Sequence, residues 1–98
     1  MNINVQKTNQ TATLVLEGRL DTTTAPELEK ALSELGADVK DLIMDLKDLA
    51  YVSSAGLRVL LSAQKKFGKT GTMKLQNVCD TVMEVFEITG FADILVIE

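Results

Sequence analysis

Apolar side chains near the start of the chain recur at every second position: Ile3 and Val5, then Ala12, Leu14 and Leu16. A period of two marks strands with one buried face, and the polar Thr8-Asn9-Gln10 between the runs reads as a turn, so the chain is expected to open with a β-hairpin whose second strand ends near Gly18. The period then changes. Leu28, Ala31, Leu32 and Leu35 share one helical face, with Thr24 and Glu27 spaced as a capping box, Pro26 in the first turn and Gly36 placed to stop the helix. Leu42-Ile43-Met44-Asp45-Leu46 is short and almost wholly apolar, the composition of a central strand covered on both faces. Leu57, Leu60 and Leu61 restore helical spacing up to about Phe67. Thr72 to Val78 alternates again, Val82, Val85 and Phe86 mark a third helix stopped by Gly90, and Ile94 to Ile97 reads as a last strand.

The resulting order, ββαβαβαβ, predicts an α/β fold: a single domain over residues 1–98, with a mixed, mostly parallel sheet, an N-terminal β-hairpin and about three helices. No repeat, low-complexity tract or linker interrupts it. Sites in such sheets favour the loops that leave the carboxyl ends of the strands.

Composition sharpens the functional side. Of 98 residues 46% are hydrophobic and 24% charged, which suits one compact domain and leaves little room for a deep, water-excluded active site. There is no histidine, so the usual general base near neutral pH and the commonest metal ligand are both missing. Catalysis by this chain alone is not expected, and neither is a cofactor or a metal. The single cysteine, Cys79, forms no intramolecular disulfide and suits a reducing compartment, where it reads as a small packed hydrophobe. The opening residues MNINVQKTNQ contain no basic region followed by an apolar stretch, and no apolar run reaches the roughly 18 residues that span a bilayer, so a cytoplasmic protein away from the membrane is expected. With 10 basic and 14 acidic residues the net charge is −4, which repels nucleic acid. Lys65, Lys66, Lys69 and Lys74 form the only basic cluster and read as a solvated helix end. Gly68-Lys69-Thr70 mimics the end of a phosphate-binding loop but lacks the glycine five positions earlier, where Ala63 stands.

The most informative stretch runs from Asp48 to Arg58, read as a loop that delivers Ser53 and Ser54 to the amino end of the second helix. One serine there serves as an N-cap. The same geometry tolerates a phosphoserine, because free N–H groups and the helix dipole stabilise an anion. Both readings stand on the residues alone. Gly56 lets another backbone approach closely and small Ala55 keeps the area around the serines open, both of which suit a docking partner.

The run from Asp45 to Leu61, containing YVSSAGLRVLL, together with GRLDTTTAPEL from Gly18 to Leu28, resembles the STAS domain of bacterial anti-sigma factor antagonists. The resemblance covers nearly the whole chain. It implies a partner-switching protein whose unphosphorylated form binds an anti-sigma factor that is also a serine kinase, releasing a sigma factor. Phosphorylation ends the binding, and a metal-dependent serine phosphatase restores it. In the family pattern the acceptor serine lies two residues before the glycine, which corresponds here to Ser54, with Ser53 as the alternative acceptor. Ser53 stands where the family usually has aspartate, and Arg58 where several members have glycine. Asp21 matches an aspartate beside the phosphorylation loop that helps contact the kinase, although a turn or capping role explains it equally. The implied partner surface comprises Asp21, Thr22, Thr23, Ser53, Ser54, Ala55, Gly56, Leu57 and Arg58. A STAS module of another assembly, such as a stressosome-like complex or a lipid-transport ATPase, is the alternative. Further away stands a nucleotide-binding or phosphocarrier component, against which the missing histidine and phosphate-binding loop both argue.

Overall fold

A computed structural model describes residues 1–98. Strand β1 (Asn2–Thr8) turns through Asn9, whose φ of 56° supplies the left-handed step, into β2 (Thr11–Leu20). Helix α1 (Ala25–Ser33), strand β3 (Asp41–Val52), helix α2 (Ser54–Thr70), strand β4 (Thr72–Gln76) and helix α3 (Asp80–Thr89) follow, and a 3-10 turn occupies Phe91–Asp93. The sheet order is β1-β2-β3-β4, antiparallel at the hairpin and parallel thereafter. That is the mixed, mostly parallel sheet with three helices that the alternation of periods predicts.

Register explains why all the helices share one face. Ala12 and Leu14 stand beside Leu42 and Met44, which stand beside Met73 and Leu75, so one apolar layer crosses three strands. Leu28 and Leu32 of α1, Leu60, Ala63 and Phe67 of α2, and Val82 and Phe86 of α3 close over it as a single buried cluster. The opposite face carries Asn4, Thr13, Val15, Ile43, Asp45 and Lys74, half-buried or exposed. The expectation that β3 is covered on both faces is therefore corrected: Ile43 looks out from an uncovered sheet face. A nearly unbroken apolar run does not separate a doubly covered strand from a long strand with one covered face.

The segment Asp48–Val52, expected as loop, is the second half of β3 and pairs with Glu17–Leu20. Two register shifts account for the misreading. Val15 and Glu17 face Asp45 and Asp48, and Gly18 and Arg19 face Leu49 and Tyr51, so β3 carries one extra residue at each step. Leu46, Leu49 and Val52 thereby stay on the buried face at a spacing of three, which hides the period of two. The same bulges, with Gly18 at φ 110°, let β2 run on to Leu20 instead of ending at the glycine.

Three smaller expectations are corrected. Thr24 is the N-cap of α1, but its side chain makes no capping bond, so the Thr24–Glu27 box does not form. Its hydroxyl is already committed, accepting from the N–H of Asp21 at 2.8 Å and donating to the carbonyl of Arg19 at 2.7 Å. Strand β4 stops at Gln76 because Asn77 takes φ 58°. The last strand is reduced to one parallel bridge between Leu75 and Ile97, since Phe91–Asp93 winds into a 3-10 turn and uses up the chain that a longer strand needs. No helix is long and apolar enough to cross a membrane.

Candidate partner-switching site

Because β2 and β3 run parallel, their carboxyl ends emerge side by side, and a bond from the N–H of Ser53 to the carbonyl of Leu20 (2.9 Å) ties the two exits together. One exit leads into the turn Asp21–Thr24 and α1. The other leads directly into α2.

Asp21 organises the first exit. Its Oδ1 accepts from the hydroxyl of Thr23 at 2.8 Å, the N–H of Thr23 at 3.0 Å and the N–H of Thr24 at 3.2 Å. Its own carbonyl accepts from the N–H of Ala25 at 2.8 Å. Asp21, three residues before the N-cap, thus takes one donor of the expected box, the N–H of Thr24, while the N–H of Glu27 turns to the carbonyl of Thr24 at 2.9 Å. The bond from the Thr23 hydroxyl, helped by the N–H groups of Thr24 and Thr23 and opposed by desolvation, holds the Asp21 carboxyl below its ordinary value of 3.8. Arg19 adds a loose contact, Nε to Oδ2 at 3.9 Å, and lays its guanidinium over the Tyr51 ring at 4.4 Å from the centroid.

A carboxylate bound more tightly in the folded state stabilises above its unfolded pKa, and the contribution fades as pH falls through the lowered folded value. The thermal midpoint of the wild type should therefore exceed that of Asp21→Ala at about pH 7, and the gap should narrow on acidification from there to well below the ordinary value of 3.8. A gap that is the same at both ends would show that Asp21 contributes through packing and not through charge.

At the second exit the two serines separate in role. Ser53 is the N-cap of α2: its backbone is extended, its hydroxyl accepts from the N–H of Gly56 at 3.4 Å, and its carbonyl accepts from the N–H of Leu57 at 2.9 Å. It is half-buried. Ser54 is the first helical residue, exposed, with no side-chain partner in the fold. Its hydroxyl makes no bond in the fold, whereas that of Ser53 already satisfies a helix-end donor.

The other proposed contact residues divide in the same way. Thr22, Thr23 and Arg58 are exposed and Ala55 is half-buried. Gly56 and Leu57 are buried, so neither presents a side chain to a partner. A Cβ at Gly56 would lie 2.6 Å from Leu20 Cγ and 2.9 Å from Val52 Cγ2. The close approach that this glycine permits is thus internal: it seats the first turn of α2 on the ends of β2 and β3 and holds Ser54 beside Asp21.

Between α1 and α2 lies a cleft of about 270 Å³ lined by Ala25, Pro26 and Glu29 on one wall and Ala55, Arg58 and Ser62 on the other. It continues along the helices into a smaller cleft of about 150 Å³, where Leu32, Ala63, Lys66 and Phe67 take over the lining. Pro26, expected only as a first-turn residue of α1, lines the cleft, as do Glu29 and Ser62, for which the sequence predicts no role. Ser62 lies one helical turn beyond Arg58, so the spacing alone points to it once the helix is known, but nothing in either helix announces that the two lie side by side.

The match to a family model of the STAS domain runs over residues 2–98, and the chain belongs to that family. Among curated relatives it is similar to the anti-sigma-B factor antagonist of Bacillus subtilis, 38% identical, with 97% of this chain and 90% of the relative covered. Among solved structures it resembles an anti-sigma factor antagonist from Mycobacterium paratuberculosis, with 24% identity, a TM-score of 0.87, and 98% of this chain and 83% of that chain covered. The Bacillus cell fate determinant SpoIIAA, solved in its phosphorylated form, shares the fold at 20% identity and a TM-score of 0.76, with 99% of this chain and 91% of that chain covered.

Proposed function

We propose that this chain is an anti-sigma factor antagonist that works by binding, with Ser54 as the residue whose phosphorylation ends the binding. The observation that carries the assignment of Ser54 is the split between the serines: the Ser53 hydroxyl accepts from Gly56, while that of Ser54 is exposed and unused at the head of α2. The curated relative at 38% identity carries the antagonist name, and the phosphorylated form of a fold neighbour supports a modification of this kind.

In this reading the unphosphorylated chain docks on an anti-sigma factor through the Asp21–Thr23 turn, Ser54 and Arg58, and the sigma factor is released. The anti-sigma factor, acting as kinase, transfers the γ-phosphoryl group of ATP to Ser54 Oγ. The hydroxyl proton is taken by a base on the kinase, since this chain has no histidine. ADP leaves, and a metal-dependent phosphatase later hydrolyses the ester. The added group brings a charge of about −1.5 to −2 and three acceptor oxygens to the contact surface, moving the chain from −4 towards about −6. Free N–H groups at the head of α2 tolerate that anion, so the fold survives its own modification.

The test uses the purified anti-sigma factor of the same cell. Incubation with ATP and mapping by mass spectrometry should place one phosphate on Ser54. Ser54→Ala should keep wild-type affinity in the presence of ATP, and Ser54→Asp should bind about a hundredfold more weakly, the equivalent of about 2.7 kcal/mol. Modification confined to Ser53, or equal affinity of the two variants, would overturn the assignment.

A further inference from the structure

Helix α2 carries four exposed charged side chains, Arg58, Lys65, Lys66 and Lys69, and no carboxylate, in a chain whose net charge is −4. Their spacing is helical. From Arg58 the next cations fall seven, eight and eleven residues on, within one stripe of the helix surface, and Ser54 lies four residues before Arg58 on that stripe. At 1.5 Å per residue the stripe extends about 22 Å from Ser54 to Lys69.

None of these cations is neutralised within the fold. The three ion pairs of the structure are Lys7–Asp38, Arg19–Asp21 and Lys74–Glu98, all away from α2. Even Glu29, on the facing wall of the cleft that Arg58 lines, forms no ion pair with it. Along the stripe runs a mostly apolar groove, with Leu32, Ala63 and Phe67 in its lining and Glu29 as its one carboxylate. A stripe of one sign beside an apolar groove is the complement of a protein segment that is acidic on one side and apolar on the other.

We infer that the anti-sigma factor presents such an acidic, amphipathic segment to the groove between α1 and α2, with its carboxylates along the stripe from Arg58 to Lys69. The inference rests on the antagonist reading and adds the chemistry of the partner's face. It also gives the phosphate a definite electrostatic effect. A phosphate on Ser54 stands one helical turn from Arg58, offsets up to half of the four positive charges, and repels the same carboxylates that the stripe attracts. Docking and switching then share one set of charges.

The affinity of the purified anti-sigma factor should be measured for the wild type, Arg58→Glu, the Lys65→Glu/Lys69→Glu pair, and Lys30→Glu on the exposed surface of α1 as control. The Arg58 variant should raise Kd about tenfold and the pair about a hundredfold, mainly through slower association. Raising salt from about 50 mM to about 500 mM should weaken wild-type binding and affect the paired variant much less. Lys30→Glu should stay within about twofold, and thermal midpoints should certify that every variant is folded. Stripe reversals that leave Kd within about twofold would overturn the inference while leaving the antagonist reading in place. So would anionic vesicles or duplex DNA that bind the wild type through the stripe when the factor does not sense its reversal. Failure of the wild type to bind the anti-sigma factor at all would overturn the antagonist reading, and this inference with it.

Discussion

Gly71→Ala should be among the most destabilising single substitutions in the chain. A Cβ at Gly71 would lie 1.7 Å from the carbonyl oxygen of Lys40 and 2.5 Å from its carbonyl carbon. These are backbone atoms, with no rotamer to escape into. The same carbonyl accepts from the N–H of Thr72 at 3.0 Å, and the N–H of Gly71 closes α2 on the carbonyl of Phe67 at 2.8 Å. Separating Gly71 from Lys40 therefore strains the end of α2, the start of β4 and the entry to β3 together. The cost should reach at least the top of the ordinary overpacking range, about 3 kcal/mol, against a domain stability of about 5 to 15 kcal/mol. For a chain of this length that lowers the thermal midpoint by about 12 to 24 °C. Gly68→Ala is the control, because its Cβ meets only Gln64 Nε2 at 3.4 Å. That change should leave the midpoint unaltered or raise it, since alanine is about 1 kcal/mol better than glycine inside a helix. Equal midpoints for the two variants would refute the contact with Lys40.

That contact also marks a limit of what the residues reveal. The one-dimensional pattern names elements well when each has a clean period: α1, α2, α3 and the hairpin follow directly from where leucine, valine and phenylalanine fall. It fails where tertiary pairing changes the period. Leu46, Leu49 and Val52 are spaced by three because β3 bulges against β2, and no propensity of Lys47 or Ala50 announces a bulge. It fails again at Gly71, whose necessity comes from Lys40, at the entry to β3 some thirty residues away in sequence.

The candidate site divides along the same line. Ser53, Ser54 and Asp21 stand out in the sequence because serines at a helix start and an aspartate in a turn have local roles that chemistry can name. The division of labour between the serines is not local. It depends on Ser53 being held to Leu20, which turns its hydroxyl to Gly56 and leaves that of Ser54 outside. Lys74, expected to share a solvated helix end with Lys65, Lys66 and Lys69, lies instead in β4, half-buried and paired with Glu98 at 3.4 Å, whereas the three lysines of α2 are exposed as expected. Their alignment with Ser54 becomes visible only once α2 is known to run unbroken from Ser54 to Thr70.

Gly56→Ala should affect both stability and switching. The added Cβ would stand 2.6 Å from Leu20 Cγ and 2.9 Å from Val52 Cγ2, and both side chains are almost wholly buried, so neither can swing into solvent. The first turn of α2 must lift from the strand ends instead. Overpacking of this kind costs about 1 to 3 kcal/mol, a loss of about 4 to 24 °C in the thermal midpoint. The lift also moves Ser54 away from the Asp21 turn, because the bond from Ser53 to the Leu20 carbonyl holds the two exits together. Affinity for the anti-sigma factor should therefore fall at a temperature where the variant is still folded. Leu20→Ala opens space at the contact and should cost about 2 to 5 kcal/mol alone. Combined with Gly56→Ala it should cost clearly less than the sum, since the new methyl occupies part of the vacated volume. Strict additivity in that double-mutant cycle, with Gly56→Ala binding as tightly as the wild type, would mean that Gly56 neither touches Leu20 nor seats Ser54.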